Sequence, residues 1–320
     1  MSKKALITGI AGQDGSYLAE LLLKKGYEVH GVERDASTEE NLWRIRHIVG
    51  AVTLHVGDVS EYETVRRLVE GIKPDEVYHL ATKHDLPNSR ENYRAIEATN
   101  MDSTYFFLSA IKEFSPTTKL FFASSSKVFG APPSSPQNEQ TPLNPTSLYG
   151  ISKAAAGALV KMYREREGVF ACSGILFVHE SPRRDPGFLT RKVTRGVARI
   201  KSGIEHELKL GDLTARRDWG FAGDYVAAMW LMLQHSIPED YVIGTGTTHS
   251  VQELIEIAFG AAGLEWRKYV KVDQALVRPP EKVETRADST RIRSELGWSP
   301  NVSFRELVEL MVAADLSGAN

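Results

Sequence analysis

The sequence predicts an α/β fold, in which a Rossmann-like doubly wound parallel sheet carries a smaller C-terminal substrate-binding lobe. Apolar strand-like runs alternate with helical patterns through the first half of the 320 residues, and this alternation is typical of parallel βαβ units. The runs are apolar on both faces, as a sheet covered by helices on both sides requires. A glycine-rich turn between the first strand and the first helix is the third observation.

The elements of the first half follow in order along the chain. The strand KALITG leads into a helix expected over about residues 13–25, which Gly26 ends. Further strands are expected in YEVHGVE, VTLHV, EVYHLA and KLFFASS, with helices in YETVRRLVEGI and MDSTYFFLSAIKEF between them. Right-handed crossovers place the carboxyl ends of such strands along one edge of the sheet. We assign residues 1–178 to this dinucleotide-binding Rossmann domain.

The regular alternation of strands and helices ends at about residue 178, where prolines and arginines indicate a loop. Helices are expected in FLTRKVTRGVARIKSG, SVQELIEIAFGAAG and FRELVELMVAADL, and short strands in HELKLG, DYVIGTG and KYVKVD. We assign residues 179–320 to a smaller lobe that caps the sheet. The boundary is soft, because the apolar segment DWGFAGDYVAAMWLMLQ can pack back on the first domain.

Composition excludes several classes of protein. The formal net charge of −2 argues against a nucleic-acid-binding protein that works by bulk electrostatics. The sequence holds no run of 18 apolar residues, so no membrane span is expected. The segment MSKKALITGIAG lacks the apolar core and cleavage site of a signal peptide. The single Cys172, in the apolar run ACSGILF, has no partner for an internal disulfide and is expected in the core. These features fit a cytoplasmic protein, and no metal site is predicted.

The turn ITGIAGQDG predicts a dinucleotide site. It spaces Gly9, Gly12 and Gly15 between a strand and a helix, where glycines let backbone N–H groups approach a diphosphate at a helix N-terminus. Glu33 follows the second strand, where a carboxylate can accept hydrogen bonds from the adenosine ribose, and Asp58 follows the third strand on the adenine side. The remaining residues expected to contact the cofactor are Gln13, Asp14, Val59, Leu80, Tyr149 and Lys153.

Whether the cofactor is NAD or NADP depends on two neighbouring residues. The carboxylate of Glu33 would repel the 2′-phosphate of NADP, whereas the guanidinium of Arg34 could bind it. The balance favours NAD.

The segment SLYGISK predicts a redox centre. Tyr149 and Lys153 are four residues apart, so on a helix they lie on one face. The lysine is expected to lower the pKa of the phenol and to bind the cofactor ribose, so that the phenolate takes a hydroxyl proton as hydride leaves for nicotinamide. Ser125, at the end of the strand FFASS, is placed to hold the same substrate oxygen.

Two motifs, TGxxGxxG at the start and YxxxK near residue 150, resemble the extended short-chain dehydrogenases/reductases. Longer segments narrow the resemblance to the GDP-mannose 4,6-dehydratase family. These segments span almost the whole chain and are GQDGSYLAELLLKKGYEVHG, PDEVYHLA, GILFVHESPRR, TRKVTRGVARIKSG, RRDWGFAGDYVAAMWLML, THSV, RPPE and LGWSP.

The resemblance implies a GDP-hexose bound between the two lobes, and assembly as a homodimer or homotetramer. The family positions that grip the nucleotide and its diphosphate correspond here to Arg191, Lys192, Arg217, Arg278 and Glu281. His179 and Glu180, in the motif HESPRR, are expected to shape the substrate site. The segment ERDASTEENLWRIRHI resembles an arm that reaches a neighbouring subunit in the family, although the family's paired arginines are here Arg34 and Asp35.

The sequence departs from the family at the end of the fifth strand. Where the dehydratases have Thr-Ser-Glu, this chain has Ser125, Ser126 and Lys127. The serines keep hydroxyls, and Ser126 is expected to contact the substrate. In the family the carboxylate takes the C5 proton and helps the C6 hydroxyl to leave as water. Lys127 could act as this base only if burial or nearby cations lowered its pKa, but as a cation it could stabilise an enolate or bind a substrate oxygen.

Other departures lie around the same sugar. The family segment LAAQSHV is here LATKHDL, which presents Thr82, Lys83, His84 and Asp85, and the family's asparagine before HESP is Val178. Lys83 and His84 are expected to contact the substrate. Together these changes indicate altered chemistry or an altered sugar.

Several functions share one first step, in which Tyr149 takes the C4 hydroxyl proton and Ser125 orients that hydroxyl. A dehydratase then loses water across C5–C6 and returns hydride to C6, with Lys127, His84 or Asp85 as base. An epimerase inverts a centre through the 4-keto intermediate without losing water. A reductase uses external NAD(P)H on a 4-keto sugar. A catalytically silent nucleotide-binding protein is the remaining alternative, and the tuned tyrosine argues against it.

Overall fold

The computed structural model describes residues 2–36, 38–84, 90–277 and 283–318. Its strands are β1 Lys4–Thr8, β2 Glu28–Glu33, β3 Thr53–Val56, β4 Glu76–His79, β5 Lys119–Ser125, β6 Ala171–Leu176, β7 His179–Glu180, β8 Leu208–Leu210, β9 Arg216–Asp218, β10 Gly220–Phe221, β11 Tyr241–Ile243, β12 Thr248–Ser250 and β13 Val270–Val272. Its α-helices are α1 Gln13–Lys24, α2 Glu39–Leu42, α3 Tyr62–Ile72, α4 Arg90–Glu97, α5 Ser103–Phe114, α6 Leu148–Glu167, α7 Leu189–Lys201, α8 Ala222–Gln234, α9 Val251–Ala261, α10 Thr290–Leu296 and α11 Phe304–Leu316.

Among the described residues, seven strands form one parallel sheet in the order β11-β6-β5-β4-β1-β2-β3. The chain runs outward from β1 through β2 to β3, then returns to β4 on the other side of β1. This reversal opens a crevice at the carboxyl ends of β1 and β4, which is where doubly wound sheets bind ligands. The predicted fold class is therefore confirmed.

Two layers of helices cover the sheet. One face packs against α1 and α8, and the other against α3, α5 and α6. Successive residues of β5 show the alternation, since Phe121 belongs to the first core and Phe122 to the second, and both are fully buried. Burial of each such side chain stabilises the fold by about 1.5–3 kcal/mol, so a strand apolar on both faces fits only inside this sandwich.

The segment from α8 to β11 returns to the first unit. β11 pairs with β6, with Tyr241 opposite Gly174, and α8 packs against α1. The strand expected in DYVIGTG therefore forms, but as an edge of the main sheet. The physical reason is that α8 is apolar around most of its circumference (AAMWLML), so it is stable only between two partners.

The smaller lobe follows a different plan. α7, α9 and α11 pack together around Val197, Leu254 and Val308, all almost completely buried. β8 pairs with β13 and β9 with β12, each pair a short ribbon at the surface of this bundle. α9 and α11 both begin with a capping box, in which a serine and a glutamate three residues later satisfy each other's backbone N–H groups.

A membrane-spanning helix and a metal site each have structural requirements. Every helix in the described parts of the chain falls short of the length or apolar character that a bilayer span demands. Those same parts hold no group of three His, Cys, Asp or Glu side chains arranged to bind a metal ion. Cys172 is fully buried in β6, and this burial raises the pKa of its thiol, so it is a core residue as expected.

Candidate active site

The turn between β1 and α1 is shaped by its three glycines. Gly9 has a φ of +69°, which favours glycine, and its N–H donates to the Val32 carbonyl at 3.1 Å. A Cβ on Gly15 would lie 2.2 Å from the Gly9 carbonyl oxygen, so α1 can press against the turn only without a side chain there. Gly12 caps α1 without a side-chain hydrogen bond. The N–H groups of the first turn of α1 therefore remain available for an anion, and the cradle fits a dinucleotide diphosphate.

Glu33 lies against this turn from the end of β2. The Ala11 N–H donates to Glu33 Oε1 at 2.7 Å. Partial burial raises the pKa of the Glu33 carboxyl, while this hydrogen bond and the nearby Arg34 and Arg44 act in the opposite direction. The carboxylate is thereby held where an adenosine ribose would lie beside the glycine turn.

Asp58 follows β3, and its carboxylate is held in the turn that precedes α3. It accepts hydrogen bonds from the Ser60 N–H at 2.9 Å and the Ser60 hydroxyl at 2.7 Å. Burial alone would raise the pKa of Asp58, but these bonds, with the charges of Arg34 and Lys83, lower it. Lys83, predicted to contact the sugar, thus also lies close enough to act on the Asp58 carboxylate. Val59 is buried beside Asp58.

Gln13 and Asp14 were expected to bind cofactor, and His179 to bind substrate, but the structure joins them to each other. Gln13 Nε2 donates to the His179 carbonyl at 3.1 Å, and the Ser181 hydroxyl donates to Gln13 Oε1 at 2.8 Å. His179 Nε2 lies 2.9 Å from Asp14 Oδ2. These contacts tie the start of α1 to β7, which opens the smaller lobe. A sequence motif cannot show this contact, because Gln13 and Asp14 lie far from His179 along the chain.

The proton on His179 follows from its two partners. Nδ1 lies 2.7 Å from the Phe177 carbonyl, which can only accept, so Nδ1 carries a proton. Nε2 faces a carboxylate, so one more proton lies between His179 and Asp14. Burial opposes charge on both groups, yet the pairing raises the pKa of His179 and lowers that of Asp14. The two form a mostly buried ion pair, and the imidazolium stacks on Tyr225 at 4.5 Å.

Tyr149 and Ser125 meet at the carboxyl end of β5. α6 begins at Ser147, whose hydroxyl accepts the Gly150 N–H at 3.1 Å and so places Tyr149 in the first turn. Burial raises the pKa of the Tyr149 phenol, and hydrogen bonds with the hydroxyls of Ser125 and Thr82 oppose the rise. The expected net lowering of the phenol pKa is therefore not observed, because burial outweighs these contacts.

Lys153 lies one helical turn beyond Tyr149, as the spacing predicted. It is almost completely buried, and its Nζ lies 4.9 Å from the ring centroid of Phe122 and 5.9 Å from that of Tyr149. Burial lowers the pKa of Lys153 to about 7. An amine so poised gains its charge readily when an anion or phenolate forms beside it.

Two buried residues beside this centre were missed by motif analysis. His79 contacts the hydroxyls of Thr8 at 2.9 Å and Ser103 at 2.8 Å. Burial, with the charge of Lys153, lowers the pKa of His79 to about 3, so it stays neutral. Asn100 accepts the Lys83 N–H at 2.8 Å and donates to the Lys83 carbonyl at 2.8 Å. Asn100 lies in the mostly polar stretch RENYRAIEATNMD, which gave no signal for this role.

The basic residues predicted to bind the nucleotide differ in their burial and in their contacts. Arg217, half-buried on β9, donates to the Arg216 carbonyl at 2.6 Å. Lys192 is exposed and its Nζ donates to the Lys209 carbonyl at 2.7 Å. Arg191, for which a diphosphate contact is predicted, is almost completely buried and paired with Asp315 of α11.

Two further residues predicted for the site, Glu180 for the substrate and Leu80 for the cofactor, make contacts within the chain. Glu180 is buried, accepts the Thr190 hydroxyl at 2.7 Å and lies 3.3 Å from Arg184 Nε, so it braces the loop before α7. The N–H of Leu80 donates to the Thr8 hydroxyl at 3.0 Å, which holds the end of β4 beside the glycine turn. Asp85, Arg278 and Glu281 lie outside the described residues.

Comparison with known proteins identifies this arrangement. The model of the family described as GDP-mannose 4,6 dehydratase matches residues 6–311. The chain belongs to this family. It is 46% identical to GDP-mannose 4,6 dehydratase 2 of Arabidopsis thaliana, covering 98% of this chain and 87% of the relative. It is 41% identical to the human GDP-mannose 4,6 dehydratase, covering 98% and 91%.

A solved structure agrees with the fold. The UDP-glucose 4-epimerase of Thermus thermophilus, in complex with NAD, superposes with a TM-score of 0.82 at 27% identity, covering 99% of this chain and 100% of that one. The expected resemblance to the GDP-mannose 4,6-dehydratase family is therefore confirmed.

Lys127 follows the end of β5 and lies near the start of α6, the helix that carries Tyr149 in its first turn. The Lys127 side chain is exposed, while its backbone carbonyl packs so closely on α6 that a Cβ on Gly150 would come within 2.5 Å of it. Ser126 is buried next to it. The burial that a lysine base requires is absent at this position. His84 is exposed as well, but its ring lies 5.2 Å from the Tyr149 ring and 5.8 Å from Phe188.

The segment that resembles the family's intersubunit arm is partly occupied within this subunit. Ile45 is fully buried in the core beneath α1. Arg44 donates from Nε to the Arg183 carbonyl at 2.7 Å and from Nη1 to the Ala11 carbonyl at 3.3 Å. This part of the segment therefore supports its own glycine turn.

Proposed function

We propose that this protein is a nucleotide-sugar-modifying enzyme that acts on a GDP-hexose of the GDP-mannose type through transient oxidation at C4. The observation that carries the proposal is the meeting of Ser125, Tyr149 and Lys153 at the carboxyl edge of a sheet whose first turn fits a dinucleotide. Membership of the GDP-mannose 4,6-dehydratase family supports the choice of nucleotide and sugar.

The residues divide the first step between them. Tyr149 takes the proton of the C4 hydroxyl, and Ser125 holds that oxygen by a hydrogen bond. Lys153 supplies a buried ammonium beside the phenolate. Because its pKa is about 7, the amine can gain or release a proton near neutral pH. The cofactor is NAD or NADP, and its nicotinamide ring, when bound, holds the C4 hydrogen as hydride between the steps. We propose NAD, because Glu33 is held against the ribose position.

Dehydration is the second step that we propose, and the names of the relatives at 46% and 41% identity support it. The C4 ketone makes the C5 proton acidic, so a base can remove it. We assign this task to His84, because its ring lies 5.2 Å from that of Tyr149. The C5 proton passes to the imidazole, and the imidazolium returns it to the departing C6 hydroxyl, which leaves as water. C6 then receives the hydride, and C5 takes the proton that Tyr149 had removed from the C4 hydroxyl, giving a 4-keto-6-deoxy sugar and restoring the phenolate.

Epimerisation through the same ketone is the second candidate. It is favoured by Lys127, a cation where the family's dehydratases carry the glutamate that drives elimination. The likeness to a UDP-glucose 4-epimerase at 27% identity supports it as well. In this case the ketone or its enolate would be reprotonated or reduced on the opposite face, with no loss of water.

Incubation with GDP-mannose in heavy water, followed by mass spectrometry, separates these functions. Loss of one water molecule from the sugar is the expected result. Deuterium uptake without that loss would establish epimerisation instead. Turnover only of a 4-keto sugar, and only with added NAD(P)H, would establish a reductase and overturn the proposal.

Assembly, compartment and domain division complete the proposal. We propose a homodimer or homotetramer in the cytoplasm, with residues 1–178 as the cofactor unit and 179–320 as the substrate lobe, except that residues 222–243 return to the first unit. Family resemblance supports the assembly, as do the exposed Tyr93, Tyr105 and Ile151 on the surface of α4 to α6. Light scattering coupled to size-exclusion chromatography would measure the subunit number.

A further inference from the structure

Residues 284–289, which we call the strap, run between the two units just before α10 and α11. On one side the strap meets Gln137, in the long loop that follows β5. On the other side it meets β9, the short strand that carries Arg217. The strap is seated tightly, since a Cβ on Gly244 would lie 2.3 Å from the Cβ of Ala287. The Ser289 hydroxyl also bonds to the backbone of Gly244, accepting its N–H at 3.0 Å and donating to its carbonyl at 2.9 Å.

Asp218 is the anchor on the β9 side. Its Oδ1 accepts the Thr245 N–H at 3.0 Å and the Thr245 hydroxyl at 2.6 Å. Its Oδ2 accepts the Gly246 N–H at 2.9 Å and the Ala287 N–H at 3.0 Å. The side chain is 1% exposed, so these four donors meet a carboxylate removed from water. An asparagine would turn an amide N–H₂ toward at least one backbone N–H, because either orientation replaces an acceptor with a donor.

Gln137 is the anchor on the other side. Its backbone N–H donates to the Arg286 carbonyl at 2.8 Å, and its Oε1 accepts the Arg286 N–H at 3.0 Å. Its Nε2 donates to the Glu284 carbonyl at 3.1 Å, and its own carbonyl accepts the Asp288 N–H at 2.8 Å. The residue is fully buried. The strap is thereby fastened to the first unit along most of its length.

The two neighbours of Arg217 in β9, Arg216 and Asp218, both contact the strap. On one side of it in β9, Arg216 donates to the Thr248 carbonyl at 2.6 Å and lies 3.6 Å from the strap carboxylate Glu284. On the other side is Asp218. β9 has three residues and pairs only with β12 among the described strands. So short a ribbon is weakly held by its own ladder, and the attachments to the strap decide where Arg217 points.

We propose that Asp218 and Gln137 are positioning residues for nucleotide binding, which act through the strap to aim Arg217 at the diphosphate of the substrate. This rests on the proposed function, which places a nucleotide sugar between the two units. Neither residue needs to touch the ligand. Asp218 faces away from Arg217 along the strand, because successive strand residues point to opposite faces.

The test compares two buried aspartates of the same chemistry. Asp224, at the start of α8, also accepts backbone N–H groups, from Asn301 at 2.9 Å and Val302 at 3.0 Å, but has no contact with the strap among the described residues. Asp218→Asn should raise the Kd for GDP and the KM for the nucleotide sugar about tenfold with kcat almost unchanged. Both variants should lower the melting temperature to a similar degree. In Asp224→Asn, however, the Kd for GDP should stay within about twofold of the wild-type value.

A double-mutant cycle with Arg217→Ala separates positioning from general loosening. If Asp218 acts through Arg217, Asp218→Asn should weaken GDP binding by less than about twofold once Arg217 is already alanine. Additive losses in the cycle, or wild-type GDP affinity in Asp218→Asn, would overturn the proposal. Should Asp218→Asn not fold, Gln137→Met, which nearly keeps the side-chain volume, tests the opposite anchor with the same expected rise in Kd.

Binding of UDP and dTDP to the wild-type protein keeps this inference apart from the proposed function. Preference for UDP or dTDP over GDP would refute the proposed substrate, and the cycle would then be run with the preferred nucleotide. A wild-type protein that binds none of the three would refute both.

Discussion

At the scale of single residues, the chemistry of the candidate centre depends on the pKa values of Tyr149 and Lys153. Burial raises the pKa of the phenol, and the hydroxyls of Ser125 and Thr82 resist that rise. The same burial lowers the pKa of Lys153 to about 7. Because burial opposes the phenolate, the proposed removal of the C4 hydroxyl proton depends on a positive charge beside Tyr149, which Lys153 can supply.

Tyr149→Phe removes the proposed proton acceptor while keeping the ring. The expected kcat with GDP-mannose falls by about 10²–10⁴-fold, since general acid–base catalysis supplies effects of that size, and the Kd for GDP is unchanged. Tyr163→Phe, on the same helix and packed against Tyr105, is the matched control and should keep full turnover. Undiminished turnover of Tyr149→Phe would refute the mechanism.

Lys127 and His84 make a linked prediction about elimination. His84→Asn should reduce water loss by about 10²-fold, because the base is removed, while GDP binding stays. Adding Lys127→Glu to that variant should restore dehydration, since a carboxylate then returns to the strand end. Mass spectrometry of the product measures both, with Lys161→Glu as the charge-matched control on α6. If Lys127→Glu changes nothing in either background, Lys127 has no part in the choice of reaction.

Glu33 is expected to decide the cofactor. Glu33→Ser removes the carboxylate that repels a 2′-phosphate and leaves Arg34 beside it, so the NADP-to-NAD affinity ratio should rise about tenfold. Fluorescence titration with both reduced cofactors measures the ratio. Glu28→Gln, at the opposite end of β2, should leave it unchanged. An unaltered ratio in Glu33→Ser would place the cofactor's ribose elsewhere.

At the scale of elements, the important contact joins α1 to β7 through Asp14 and His179. The glycine turn belongs to the first unit and the motif HESPRR opens the lobe, so this ion pair sets how the two halves of the site face each other. Gln13 and Ser181 reinforce it with neutral hydrogen bonds. The pair is mostly buried, where removal of one partner from an ion pair is costly.

The stability of this contact should depend on pH in a definite direction. The pKa of His179 is raised, so its contribution is complete below the unfolded value near 6.5 and is lost as pH rises through the folded pKa. The pKa of Asp14 is lowered, so its contribution is complete above the unfolded value near 3.8 and is lost as pH falls through the folded pKa. The contact is thus strongest in mildly acidic solution and weakens above neutrality.

Asp14→Asn tests this dependence. The free energy of unfolding should fall by roughly 3 kcal/mol in mildly acidic buffer, because an unpaired buried imidazole remains, and its decline toward alkaline pH should flatten. Urea denaturation over a pH series measures both. Glu28→Gln, which removes a carboxylate 2.9 Å from His30 at the other end of the sheet, should keep the alkaline decline. A retained decline in Asp14→Asn would assign the effect to another group.

At the scale of the whole molecule, the chain crosses between the two units more than once. After building α7 and the β9 strand it returns as α8 and β11 to the main sheet, then leaves again for α9. The strap makes a further crossing. The two units therefore share covalent paths and packed interfaces, and a substrate between them would be contacted by segments from both.

Hydrogen exchange should show this sharing. The amides of β11 pair with β6 inside the main sheet, so they should exchange as slowly as those of β6 under native conditions. The paired amides of β8, in a two-stranded ribbon of the lobe, serve as the comparison and should exchange faster. Exchange of β11 at the rate of β8 would place the segment in the lobe and contradict the proposed division.

Local pattern made much of this protein predictable from its sequence. The order of strands and helices, the glycine turn and the spacing of Tyr149 and Lys153 depend on residues close together in the chain, where periodicity and turn chemistry act. The departure at Lys127 was visible for the same reason. The pairing of Arg191 with Asp315 was not visible in the sequence, because a motif shows which residues are adjacent and not which way a helix turns its side chains.

By itself the sequence determined the fold class, the family and the residues available for chemistry at C4. Only the tertiary structure decided that Asp14 pairs with His179, that His84 lies beside Tyr149, and that Asp218 and Gln137 hold one strap. The physical reason is that these contacts join residues distant in the chain, and their distances are set by strand order and by how the lobe packs on the sheet.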